Sequence, residues 1–317
     1  MQNITFEDFN KLNFGLYEGN PIIKHFGLSS VAADPSVLAP KNSHDNKWHL
    51  FCHTWIGVYQ LQSDDGINWG KPTMVVSRAM RPNIKYIDGL YYLYYERTDR
   101  LLKKGLTLLG AKWFSEICLT TSQDLISWTK PKKIIANNKD YHRSKLGVAI
   151  SNPFLINING KNRLYYSSGL TYIEDCHFCE PTYISYAESD NLTGGFVSAS
   201  EPIIKPDKDS KYLNLCSGCI KIYKLKDCYI GLQNGIYKGE DNKSHSAIIL
   251  LKSNDGLEFT YVKNFLSPQK CGDNNWMAQY VYACDLVRNE DKFYLYFNAR
   301  NVNNISGSEN IGVYISK

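Results

Sequence analysis

The chain has 317 residues, 43% of them hydrophobic, and a formal net charge of +5. That supplies enough apolar material for one domain spanning 1–317, while the mild, unclustered basic balance excludes the Lys/Arg stripe of a nucleic-acid partner. No run of 18 apolar residues is available as a membrane span, Met1–Asp8 lacks the features of a secretion signal, and nine cysteines fit a reducing compartment, so a cytoplasmic location is expected.

In chain order, residues 1–30 carry Phe9, Leu12, Phe14, Leu16 and Tyr17 ahead of the breaker Gly19-Asn20-Pro21. This opening segment is expected to supply the outer strand of the last structural unit. A three-part phrase then repeats. An apolar strand begins at Asp34-Pro35-Ser36-Val37, at Arg81-Pro82-Asn83-Ile84 and at Ser151-Asn152-Pro153-Phe154-Leu155. An aromatic strand follows at Trp48–Phe51, Tyr91–Tyr94, Arg163–Tyr166, Cys228–Gly231 and Phe293–Tyr296. Turns rich in Ser, Asp, Asn and Gly close the first four units, beginning at Ser63, Ser122, Ser189 and Ser253. Strand units repeating at this spacing predict an all-β, five-bladed β-propeller, and the tyrosine-rich composition suits pleated, half-buried strands.

In such a ring the innermost strands all start around one central funnel, so residues distant in the chain converge there. Those starts are Asp34, Arg81, Asn152, Cys216-Ser217-Gly218-Cys219 and Cys284-Asp285. Two insertions, Arg100–Gly110 and Thr171–Pro181, lie between second and third strands. Because neighbouring strands run antiparallel, both are expected to crown the funnel mouth.

Cys176-His177-Phe178-Cys179 and Cys216-Ser217-Gly218-Cys219 form two C-x-x-C pairs. Four thiolates in two such pairs are suited to a tetrahedral zinc ion, with each sulfur about 2.3 Å from the metal. Buried apolar thiols or a dithiol are the other readings.

The order of these motifs resembles the five-bladed propeller glycosidases, nearest to family 43 glycoside hydrolases and their clan relatives acting on furanosides and fructans. The resemblance covers roughly Ser30 to Lys317. It rests on Ala33-Asp34-Pro35-Ser36-Val37, Arg81-Pro82-Asn83-Ile84, Asp88-Gly89-Leu90-Tyr91-Tyr92-Leu93-Tyr94-Tyr95 and Asn152-Pro153-Phe154-Leu155. It implies that Asp34 is the general base or nucleophile of a glycosyl hydrolysis or transfer. It also implies an aspartate at the third-blade start and a glutamic acid on the fourth blade, where this chain has Asn152 and the Cys216–Cys219 stretch.

Glycoside cleavage needs a protonated acid as well as an ionised partner. The candidates to replace the missing acid are Glu96, Glu180 and Asp285. Arg81 would clamp an anionic group or hold Asp34 ionised, and His53, Trp55, Asn152 and Ser217 would contact a saccharide. The expected partner is a saccharide or glycoconjugate, with an acidic or phosphorylated one compatible with the positive charge. The alternatives are a saccharide-binding propeller without catalysis and a zinc-dependent sugar-modifying enzyme of glycan biosynthesis.

Overall fold

The structure is a computed structural model and describes residues 1–98, 111–271, 275–304 and 306–317. Five antiparallel sheets succeed one another along the chain as the blades of a β-propeller. Blade one is Ala33–Leu38, Trp48–His53, Gly57–Ser63 and Thr73–Ser77, and blade two is built on Ala79–Ile87, Leu90–Thr98 and Trp113–Ser122. Blade three is Ile150–Ile158, Lys161–Ser168, Tyr183–Ser189 and Val197–Ser198. Blade four is Cys216–Lys224, Tyr229–Lys238, Ser244–Ser253 and Thr260–Leu266. Blade five combines Tyr280–Asn289, Lys292–Arg300 and Glu309–Ser316 with Phe14–Leu16 from the other end of the chain. Phe14 pairs with Ser316 and Leu16 with Tyr314, so the opening segment supplies the outer strand expected of it. The Arg100–Gly110 insertion lies outside the described residues. None of the described helices is long and apolar enough to cross a membrane.

The same irregularity opens every inner strand. Between Ala33 and Ser36, Met80 and Asn83, Ser151 and Phe154, Cys216 and Cys219, and Val281 and Cys284, two residues are skipped in the pairing with the second strand. The skipped pairs are Asp34-Pro35, Arg81-Pro82, Asn152-Pro153, Ser217-Gly218 and Tyr282-Ala283. The prolines fit because a bulged residue donates nothing to the ladder. Asp34, Arg81 and Asn152 adopt left-handed backbone conformations, with φ of 52°, 52° and 51°. Three non-glycine residues in this costly region at one repeated position mark a place where the backbone is bent to aim a side chain.

Below the bulges, polar side chains tie each inner strand to the next. Ser36 accepts from the amide of Ile84, and Asn83 accepts from the amide of Leu155. Asp285 accepts from the amide of Val37 and from the hydroxyls of Ser36 and Tyr223, while the Tyr223 hydroxyl accepts from the amide of Leu286. Toward the outside, second-strand tyrosines reach the turn of the following blade. Tyr94 donates to the Leu192 carbonyl at 2.8 Å and Tyr296 to the Gly66 carbonyl at 2.9 Å, and Tyr165 makes the matching bond to Gly256. Three of the 23 tyrosines thereby pin one blade to the next at the same position.

Those turns are built alike. In the first, Ser63 accepts from the amides of Asp65 and Gly66, and Asp65 accepts from Ile67 and Asn68. Ser122 with Asp124, and Ser253 with Asp255, repeat the pattern.

The belt assigns Asp285 a structural position. It is 7% exposed, and both of its oxygens are engaged by blades one and four. Asp285→Ala leaves buried donors without an acceptor, and each such group costs about 1–3 kcal/mol. The expected result is a loss of about 3 kcal/mol in chemical denaturation, with Asp285→Asn recovering part of it.

Candidate active site

At the funnel mouth the Asp34 carboxylate accepts a 2.8 Å hydrogen bond from His53 Nε2, while His53 Nδ1 lies 3.1 Å from the Thr54 carbonyl. Both ring nitrogens face acceptors, so the two bonds form together only when the ring carries two protons. The Asp34 amide donates to Asn298 Oδ1 of blade five, which fixes the bulge across the seam between the first and last blades. Burial pushes the Asp34 carboxyl up, but the His53 hydrogen bond and charge, with Arg81 and Lys221, outweigh it and hold the group below the ordinary aspartate value. Asp34 is thus an ionised carboxylate at neutral pH.

Arg81, at the equivalent bulge of blade two, is paired with Glu96. Glu96 is 1% exposed at the side chain and Arg81 23%. One Glu96 oxygen takes the guanidinium and the other has no hydrogen-bond partner among the described residues. Burial alone would lower the Arg81 pKa, but the charges of Glu96 and Asp34 overcome it and raise it. Glu96 therefore anchors Arg81 within the field of Asp34. Removing the guanidinium in Arg81→Met strands a buried carboxylate, a change that costs about 3–5 kcal/mol. Denaturant unfolding is expected to show that loss, and a second substitution, Glu96→Leu, to recover much of it.

One acid candidate that feels the charge of Asp34 comes from the hairpin that follows the second strand of blade three. Thr171–Ile173 and Phe178–Glu180 form a separate two-stranded hairpin. Its tip is held by Asp175, which accepts from the Ser244 amide at 2.8 Å and its hydroxyl at 2.9 Å. Its exit is fastened where Ser217 and Gly218 donate to the carbonyls of Thr182 and Pro181. The hairpin thus runs from blade three to the bulge of blade four, and the crowning position expected of the Thr171–Pro181 insertion is the one it occupies.

Glu180 ends this hairpin among Arg81, Asp34, Glu309 and Arg300, all of which act on its charge. Burial raises its pKa, Arg81 opposes, and the negative charges of Glu309 and Asp34 add to the rise, so the carboxyl is pushed up to about 7. The family resemblance implies an acid on the fourth blade. The structure brings one there from the neighbouring hairpin.

Glu309 and Arg300 complete the wall without having been signalled by any motif. Glu309 accepts from Asn298 at 2.9 Å and from Arg300 at 3.0 Å, and Arg300 lies over the Phe178 ring at 4.6 Å. Burial lifts the Glu309 carboxyl above its usual value despite Arg300. Tyr282, not Cys284, occupies the fifth bulge, and its phenol is raised by burial and by Glu180 and Glu309. The pairing register alone locates Tyr282, since the Tyr282-Ala283 bulge lacks the proline that marks the first three.

Of the remaining expected residues, Asn152 is buried at the third bulge, its amide donating to Ser151 Oγ at 3.3 Å. Ser217 is buried at the fourth bulge, and its hydroxyl has no hydrogen-bond partner among the described residues. Trp55, two residues beyond His53, is 41% exposed, with its ring nitrogen on Ser30 Oγ. A cleft of about 520 Å³ on the outer rim, lined by Lys132, Lys161 and Asp190 among others, shares no residue with this funnel.

The cysteines do not assemble as their spacing suggests. Among the described residues no three of His, Cys, Asp and Glu stand together in a geometry that could hold a metal ion. Cys176, Cys179, Cys216 and Cys219, from which a zinc cage is expected, are thus not gathered into a metal-holding group among the described residues, and all four are free thiols. The bulge is the reason. Cys216, before it, packs with Cys176, Ile173, Ile236 and Tyr280. Cys219, after it, lies beside Cys284 of blade five, whose thiol is pushed up by burial and then by that neighbour.

The fold is that of the five-bladed propeller glycosidases. Among solved structures, one described as a glycoside hydrolase matches with a TM-score of 0.68 at 12% identity, over 99% of this chain and 96% of that one. A thermostable family-43 glycoside hydrolase matches with a TM-score of 0.61 at 15% identity, covering 93% and 91%. An α-L-arabinofuranosidase from Podospora anserina, solved in complex with cellotriose, matches with a TM-score of 0.61 at 12% identity, covering 94% of each chain. At these identities the likeness is one of fold. No family model matches the chain, and no curated protein matches it by sequence.

Proposed function

We propose that this chain is a glycoside hydrolase or transglycosidase, with Asp34 as general base or nucleophile and Glu180 as general acid. One observation carries the reading: two carboxyl groups in one funnel have environments that drive their proton affinities apart. Asp34 is held below the ordinary range, and Glu180 is pushed up to about 7. Such divergence is what a reaction needing one ionised and one protonated carboxyl requires at neutral pH.

In this reading Glu180 delivers its proton to the departing glycosidic oxygen as the bond to the anomeric carbon breaks. Asp34 either attacks that carbon or takes a proton from the attacking water, and the Glu180 carboxylate left behind is stabilised by Arg81. His53 keeps Asp34 oriented and ionised, and Arg81, fixed by Glu96, holds the charge balance between the two groups. The glycosidase fold of the solved relatives supports a saccharide substrate. Release of free sugar from a panel of aryl glycosides by the wild-type chain, and its loss in Asp34→Asn, is the test.

A further inference from the structure

Below the candidate active site the inner strands carry a feature that the proposed chemistry does not use. Lys85 of blade two and Lys221 of blade four occupy the same register position, two residues past the end of their bulges at Asn83 and Cys219. Blade three, between them, presents Phe154. The Lys85 ammonium lies 4.1 Å from the centre of that ring and the Lys221 ammonium 5.4 Å. Two cations from flanking blades therefore converge on one aromatic ring.

Lys221 is 3% exposed and Lys85 is partly exposed, and neither ammonium has a hydrogen bond or ion pair to another described residue. The carboxylate that acts on Lys85 is Asp285, and its oxygens are already held by Val37, Ser36 and Tyr223. An ammonium drawn largely out of water without an anionic acceptor is unfavourable, and an aromatic ring compensates only in part. Two of them side by side add mutual repulsion, and burial together with Lys221 lowers the Lys85 pKa to about 8. The arrangement becomes favourable when an anion sits between the two.

We infer that Lys85, Lys221 and the Phe154 ring form a binding site for an oxyanion, a phosphate, sulfate or carboxylate group, in the axial channel beneath Asp34. Lys221 links the levels, since its charge also acts on Asp34. The oxyanion is either a free ion or an acidic substituent of the saccharide, and the second source rests on the glycosidase reading.

The test is calorimetric titration of wild-type protein with inorganic phosphate and with sulfate at low ionic strength, beside Lys85→Met and Lys221→Met. Saturable binding, weakened ~10-fold or more in each variant through loss of a charge-assisted hydrogen bond, is expected. Thermal melting establishes that both variants are folded. Absence of saturable binding to the wild type, or undiminished wild-type affinity in both folded variants, overturns the proposal whether or not any glycoside is cleaved. The source is then read from paired neutral and uronic aryl glycosides. Phosphate that competes with the uronic glycoside alone identifies a substituent of the substrate, and phosphate that binds without affecting either identifies a free ion.

Discussion

Asp34→Asn is expected to lower kcat/KM on every cleaved glycoside by ~10²- to 10⁴-fold, the range for loss of a positioned acid or base. The change is nearly isosteric, and the amide oxygen can still accept from His53 Nε2, so the 2.8 Å contact that orients residue 34 has a counterpart in the variant. What disappears is the negative charge that His53, Arg81 and Lys221 sustain. Stability should change much less than activity, because the backbone of residue 34 keeps its bond to Asn298. A variant that retains wild-type kcat/KM would remove Asp34 from the chemistry. Glycan binding without turnover in the wild type would favour a saccharide-binding propeller instead.

The second large effect concerns Glu180→Gln and depends on the leaving group. A glycoside with a poorly acidic alcohol as leaving group needs the proton that Glu180 carries, so its kcat should fall ~10²- to 10⁴-fold. A dinitrophenyl glycoside departs without protonation and should be little affected. The pH dependence supplies an independent readout. Glu180 is protonated below about 7 and loses its proton above, so wild-type kcat/KM should decline as pH rises through that value. The acidic limb belongs to Asp34 and lies below the ordinary aspartate range. In Glu180→Gln the basic limb disappears while the acidic limb stays. A profile whose basic limb survives the substitution would assign the acid to another group.

The ring was legible because its signals are local and repeated. Asp34-Pro35, Arg81-Pro82 and Asn152-Pro153 each place a proline where a bulge removes the need for a donor. The tyrosine-rich second strands repeat because their hydroxyls reach the next blade's turn. The aim of Asp34 and Arg81 into one funnel follows from that repetition.

The choice among acids did not follow, since Glu96, Glu180 and Asp285 are alike as residue types. Their difference lies in what the fold sets against each: a guanidinium on Glu96, a belt of donors on Asp285, and burial beside two other carboxyls on Glu180. The separation of the cysteine pairs was illegible for a related reason. C-x-x-C spacing places two sulfurs on one ion only if the backbone between them curls, and here a bulged strand sends Cys216 and Cys219 to different neighbours.

The loop of blades is locked by a strand taken from the opposite terminus, Phe14–Leu16, and Asp34 lies directly across that junction, with its amide on Asn298 and the Val37 amide on Asp285. If Asp34 reacts as proposed, closing the ring and orienting its carboxylate are coupled, since the contacts that hold its bulge exist only where the first and last blades meet.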